Sequence, residues 1–265
     1  MTMTTLFYVS LGLYAASLGC ELAGVAAKRG RLKSIAWWGF VLALLTHLGY
    51  FIWRGLIAQR LPLSSQFEFS CGFALGVSLL LLVARTRLSA DWIAAAGMTA
   101  VTLLMVYASR QKMEISELMP ALRSFWFDFH IGAAVFAYSA FLVAGCVSLR
   151  YVLQYRKGES AESLKMKKLE YLSYRLVAMG FLLLTAVIVI GAIWAEAAWS
   201  AYWTWDPKEV WALITWIIYA VYLHIRLRRQ YSDLFLSWYV ILAIPAFLFT
   251  FAGVNKLLPG LHSYA

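Results

Sequence analysis

Four histidines, His47, His130, His224 and His262, are the side chains in this 265-residue chain best suited to ligate a metal while uncharged. The second chemistry-bearing feature is the stretch 191–226, GAIWAEAAWSAYWTWDPKEVWALITWIIYAVYLHIR, with six tryptophans between Trp194 and Trp216. At 100° per residue Trp194, Trp199, Trp203 and Trp205 do not share one helical face, so they read as an aromatic shelf rather than a helix stripe. The plainer alternative is an aromatic belt at a membrane surface. Directly after them Asp206-Pro207-Lys208-Glu209 reads as a helix start, with Asp206 as N-cap, proline in the first turn and Glu209 completing a capping box. Asp206 is then either a cap alone or a cap beside an anion drawn to the same amides and dipole.

These groups must be positioned by a membrane scaffold. With 63% hydrophobic and 14% charged residues, the chain lies far from the composition of a soluble domain. Eight apolar runs fit spans of about 20 residues each: 5–27, 35–57, 67–84, 92–107, 125–151, 171–193, 207–227 and 234–254. The first is too long for a signal-peptide core and reads as an uncleaved span. The segment 109–124 reads as an amphiphilic loop with room for a short surface helix. The expected fold is an all-α integral membrane protein of about eight transmembrane helices, forming a single polytopic domain over 1–265. Its tryptophan-rich segment, about 191–211, lies outside between helices 6 and 7.

Sixteen of the 23 Lys and Arg fall in or beside the loops after spans one, three, five and seven. The positive-inside rule therefore puts those loops in the cytoplasm, and both termini and the tryptophan-rich segment on the outer side. The net charge of +10 is explained by this topology and does not call for nucleic acid. Cys20, Cys71 and Cys146 all sit in apolar runs with no CxxC pair, so neither a disulfide framework nor a thiol-redox motif is readable.

On this topology His130 lies about 9 Å below the outer start of the fifth span, and His262 lies just past the eighth. Either alone reads equally well as a satisfied or solvated histidine, but both border the face where the tryptophans emerge, and that convergence points to a bis-histidine haem site lined by flat apolar rings, with a helix start suited to a propionate. His224 is 17 residues below Pro207, about 25 Å along a helix, and belongs near the cytoplasmic side. One haem cannot reach both it and the outer pair. His47, the rival in-chain partner for His224, sits about 12 Å deeper from the inner surface, and its plainer reading is an interhelical hydrogen bond. Glu68, Asp128 and Glu196 are either proton-transfer groups or ordinary interface carboxylates.

The run WAEAAWSAYWTWDPKEVWALITWIIYAVYLHIR resembles the tryptophan-rich WWD domain of haem-handling proteins, and its continuation WDPKE…W…TW..YA.YLH.R resembles the CcsA (ResC) family of system II cytochrome c biogenesis. The similarity runs from about residue 62 to the C-terminus and is strongest after residue 169. Ser200 stands where the family usually has glycine, and Val210 where it often has threonine. By this resemblance His130 (in WFDFH) and His262 (in LLPGLHSYA) match the external histidines that flank the WWD domain, and His224 (in YLHIR) matches its transmembrane histidine. The resemblance implies that Trp194, Trp199, Trp203, Trp205 and Asp206 contact haem b, which is both substrate and bound cofactor. It implies a haem-binding subunit of a cytochrome c synthase, or haem lyase, in a bacterial inner or thylakoid membrane. Haem would enter near His224, move outward, and be attached by thioether bonds to a CxxCH apocytochrome c with a CcsB/ResB-like membrane partner. Two other readings stay open on the residues alone. One is a cytochrome b-type electron-transfer protein; the other is a transporter of another substrate with an aromatic gate.

Overall fold

The computed structural model describes residues 2–87, 91–258 and 260, and these are helical or loop with no β-strand among them. The chain separates into two compact units, Met1–Glu117 and Leu118–Ala265. The first contains α1 (Met3–Ala26), α2 (Gly30–Ala58), α3 (Gln66–Arg87) and α4 (Asp91–Ala108). The second contains α5 (Phe125–Tyr155), α6 (Leu164–Trp199), α7 (Pro207–Arg228) and α8 (Asp233–Leu248), the last continuing through a π-helical turn, Phe249–Gly253, into α9 (Val254–Leu257). Among the described residues seven helices are long and apolar enough to cross a membrane, and the fourth expected span is represented by a shorter apolar helix, Ala94–Ala108. The short surface helix expected within 109–124 is reduced to one 3-10 turn, Pro120–Leu122, which begins at the proline.

Helix ends follow local chemistry. Thr2, Ser163 and Ser232 cap α1, α6 and α8 by accepting from the backbone N–H three residues on. The ends of α2, α6 and α7 are closed by Gln59, Ser200 and Arg229 in the left-handed conformation. α6 is 36 residues long, well beyond the 171–193 expected for the sixth span, because nothing between Ser163 and Ser200 breaks the helix. At about 54 Å it exceeds the roughly 30 Å hydrocarbon core, so Trp194 and Trp199 belong to its last turns rather than to a loop.

In the first unit the buried face of α1 carries several polar groups: Ser10, Tyr14, Ser17 and Glu21 are buried between Phe7 and Gly24. His47 is fully buried, with Nδ1 3.4 Å from the Tyr14 hydroxyl, which also lies 3.3 Å from Ser78 Oγ. The interhelical hydrogen bond expected of a structural histidine is thus present. Glu68 is equally buried and sits between two guanidinium groups, accepting from Arg54 Nε at 2.9 Å and Arg60 Nη1 at 2.7 Å. Arg54 also donates to the carbonyls of Met113 and Glu114, so one ion cluster ties α2 and α3 to the segment after α4.

The second unit is built on α5, which packs along α6 and against α8. Close approach comes from small and flat side chains. Gly180 of α6 faces the Phe141 ring, and Phe141 in turn stacks on Tyr219 of α7 with centroids 3.6 Å apart and planes 2° from parallel. At the far end of α7, Arg226 Nε donates to Glu170 Oε1 at 2.8 Å and so fixes α7 to the start of α6.

Candidate functional site

His130 is the sixth residue of α5, half-buried, and its ring is held by three successive turns of α6. Its Nδ1 lies 2.9 Å from the Val187 backbone carbonyl oxygen. A carbonyl can only accept, so Nδ1 carries the proton, and in the neutral ring the lone pair is on Nε2. One turn on, Gly191 passes so close that a β-carbon there would sit 2.7 Å from Nδ1. Trp194 then stacks on the imidazole, with centroids 5.9 Å apart and planes 25° from parallel. Positions 187, 191 and 194 follow the i, i+4, i+7 spacing of one helical face.

Trp194 is only 1% exposed. Its indole N–H donates to the Ala121 carbonyl at 2.9 Å, and its ring packs on Phe127, Leu122 and, edge to face at 4.7 Å, Trp199. Trp194 therefore backs the His130 ring, and Trp199 packs on Trp194. Trp203 and Trp205 have a different setting. They lie in the non-helical link between α6 and α7, edge to face at 5.8 Å, and Trp205 is 70% exposed with φ of 60°.

The link is pinned from α7. Glu209 accepts from the Thr204 amide at 2.8 Å and the Asp206 amide at 3.2 Å, while Asp206 Oδ2 accepts from the Lys208 amide at 3.0 Å. This is the capping box read from the sequence. Asp206 is buried, and Gly260 lies against its carboxylate so closely that any β-carbon there would collide with Oδ1. His262 lies outside the described residues.

His224 stands apart. It is exposed on α7, with no hydrogen bond within the described residues, two residues before the Arg226 that pairs with Glu170. The His130 ring meets α6 at Val187, 17 residues or about 26 Å further along the same helix. The second unit thus brings His130 onto the 187–194 stretch of α6, with Trp199 packed on Trp194, keeps Trp203, Trp205 and Asp206 in the link that follows α6, and holds His224 near the other end of that helix. Sequence reasoning did not single out Val187 or Gly191. The available signal was a glycine one turn before a buried tryptophan in an otherwise apolar helix.

The fold and site define a polytopic α-helical integral membrane protein in which one long helix holds an imidazole and then runs into a tryptophan-rich link. Residues 63–262 match the family described as cytochrome C assembly protein, and the chain belongs to it. The cytochrome c biogenesis protein CcsA of Synechococcus sp. (strain RCC307) is 32% identical over 256 residues, covering 84% of this chain and 82% of that one. CcsA of Prochlorococcus marinus (strain MIT 9303) is 32% identical over 259 residues, covering 84% and 81%. Among solved structures, the cytochrome c heme lyase CcmF is similar in fold, with a TM-score of 0.76 at 19% identity. The match covers 95% of this chain and 47% of that one, so the chain spans about half of the CcmF structure.

Proposed function

We propose that this chain moves haem b outward across a bacterial inner or thylakoid membrane and presents it beside the Trp203–Trp205 link for thioether attachment to a CxxCH apocytochrome c. It acts with a CcsB/ResB-like membrane partner. Within c-type cytochrome biogenesis, the observation that carries this reading is the His130 imidazole, fixed in one tautomer against residues 187–194 of α6, the stretch that runs on into the tryptophan-rich link. A metal-ligating histidine characteristically donates its other ring N–H to a carbonyl or carboxylate, as His130 does to Val187. The residues suit a porphyrin. Among those described no three His, Cys, Asp or Glu gather into a metal centre, whereas haem brings four nitrogens of its own and needs only axial ligands and a flat lining.

His262 is the proposed second axial ligand, and Gly260, two residues before it in the chain, already abuts Asp206 at the base of the link. Haem is the substrate here. Its vinyl groups supply the reactivity, and the protein supplies position, ligation and exclusion of water. His130→Ala in the purified full chain is expected to remove one axial ligand, shift the haem absorption spectrum and abolish cytochrome c assembly. An unaltered spectrum together with normal assembly would sink the reading.

The link is proposed to face the outer side, in keeping with the asymmetry of 16 among 23 Lys and Arg. Ser160 and Ser200 are both exposed and serve as reporters. Single cysteines at these positions, in a chain lacking Cys20, Cys71 and Cys146, should react oppositely with an impermeant thiol reagent applied to intact cells, Ser200→Cys labelling and Ser160→Cys not. The reverse pattern would invert the topology.

A further inference from the structure

We propose that α6 sets the chemistry of the His130 ligand as well as its place: Val187, through its carbonyl, makes Nε2 the iron-binding atom, and Gly191 is the residue that leaves room for the ring. This rests on the haem reading above. Val187 and Gly191 are positioning residues, since neither is argued to touch the substrate. The carbonyl of Val187 belongs to a helix, yet it has a second lone pair with which to accept the imidazole N–H. A neutral carbonyl polarises the ring less than a carboxylate would, so the ligand is a neutral imidazole rather than one drawn toward imidazolate. Trp194 fixes the ring plane by stacking, while Gly191 allows α6 to come close enough for the bond to form. The same helix carries Trp194 and Trp199 and leads into the tryptophan-rich link, so a displacement of α6 would change ligand orientation and link position together.

Gly191 is a demanding position. A β-carbon there would stand 2.7 Å from Nδ1 and 2.8 Å from Cε1 of His130, both shorter than any ordinary carbon contact. The helix and the ring cannot both stay where they are. Gly191→Ala is therefore expected to break the Val187 bond and turn the imidazole while leaving the histidine in the chain.

The test uses the full-length protein purified with its haem. His130→Gly should lose the wild-type axial signature in absorption and electron paramagnetic resonance spectra, and added imidazole should restore it by entering the vacated space. 1-Methylimidazole has the same ligating nitrogen but no N–H for Val187, and carries a methyl group where Gly191 approaches. It should restore the signature at about tenfold higher concentration or not at all, the loss of one neutral hydrogen bond being worth about that factor. Gly191→Ala, with His130 intact, should show a shifted spectrum. Equal rescue by the two imidazoles, or a wild-type spectrum in Gly191→Ala, overturns the role of α6 while leaving His130 as a ligand. A wild-type spectrum in His130→Gly without any addition would overturn the ligand assignment itself, and this inference with it.

Discussion

Replacing His224 with alanine is expected to empty the outer haem site, although His224 lies about 26 Å along α6 from the residues that hold His130. The ring is exposed on α7 and makes no hydrogen bond within the described residues, so its loss should cost the fold little. An imidazole facing outward from a membrane-spanning helix is unfavourable unless something uses or covers it, which is why it is proposed as the loading ligand, completed by a histidine from a CcsB/ResB-like partner. Removing both His130 and His262 should leave haem at this inner position. His47→Ala should leave both positions filled, because His47 is buried in the first unit and bonded to Tyr14. Haem quantified in these variants, each copurified with the partner, gives the order of transfer. A full outer site in His224→Ala would mean that haem arrives by another route.

The largest effect on stability is expected at Glu68. Its carboxylate accepts from Arg54, from both terminal nitrogens of Arg60, and from the amide and hydroxyl of Ser64. Arg54 and Glu68 are each 1% exposed, so Glu68→Ala would strand a buried guanidinium charge, at a cost of about 3–5 kcal/mol. Because Arg54 also holds the carbonyls of Met113 and Glu114, the damage should spread to the segment after α4. Thermal unfolding of the detergent-solubilised chain should show a clearly lowered midpoint, with Glu68→Gln less affected because it keeps one accepting oxygen and fills the same space. A Glu68→Ala midpoint equal to wild type would show that the cluster is dispensable. Of the readings open to Glu68 in the sequence, the five contacts favour an interhelical clamp over a proton carrier.

Composition alone determined that the chain lives in a membrane, since burying so large an apolar fraction inside a monomer of this size is impossible. Apolar run length placed most of the helices, and the Asp206–Glu209 pattern located the start of α7, because capping is a local interaction that needs no partner from elsewhere in the chain. Helix ends inside continuous apolar sequence were not legible. α6 runs on to Trp199 because the next left-handed residue is Ser200, and that extension moves Trp194 from an imagined shelf into a buried cluster. Periodicity gave no account of which rings Trp194 meets, as His130 and Phe127 are brought to it by α5 packing along α6. The function of His47 and Glu68 was equally undetermined by residue type, since an imidazole or a carboxylate in a membrane helix reads the same until its neighbours are known. Only the tertiary structure supplied Tyr14 for the one, Arg54 and Arg60 for the other, and the Val187 carbonyl that settles the tautomer of His130, because each of these bonds joins a helix to a different element and none follows from local sequence.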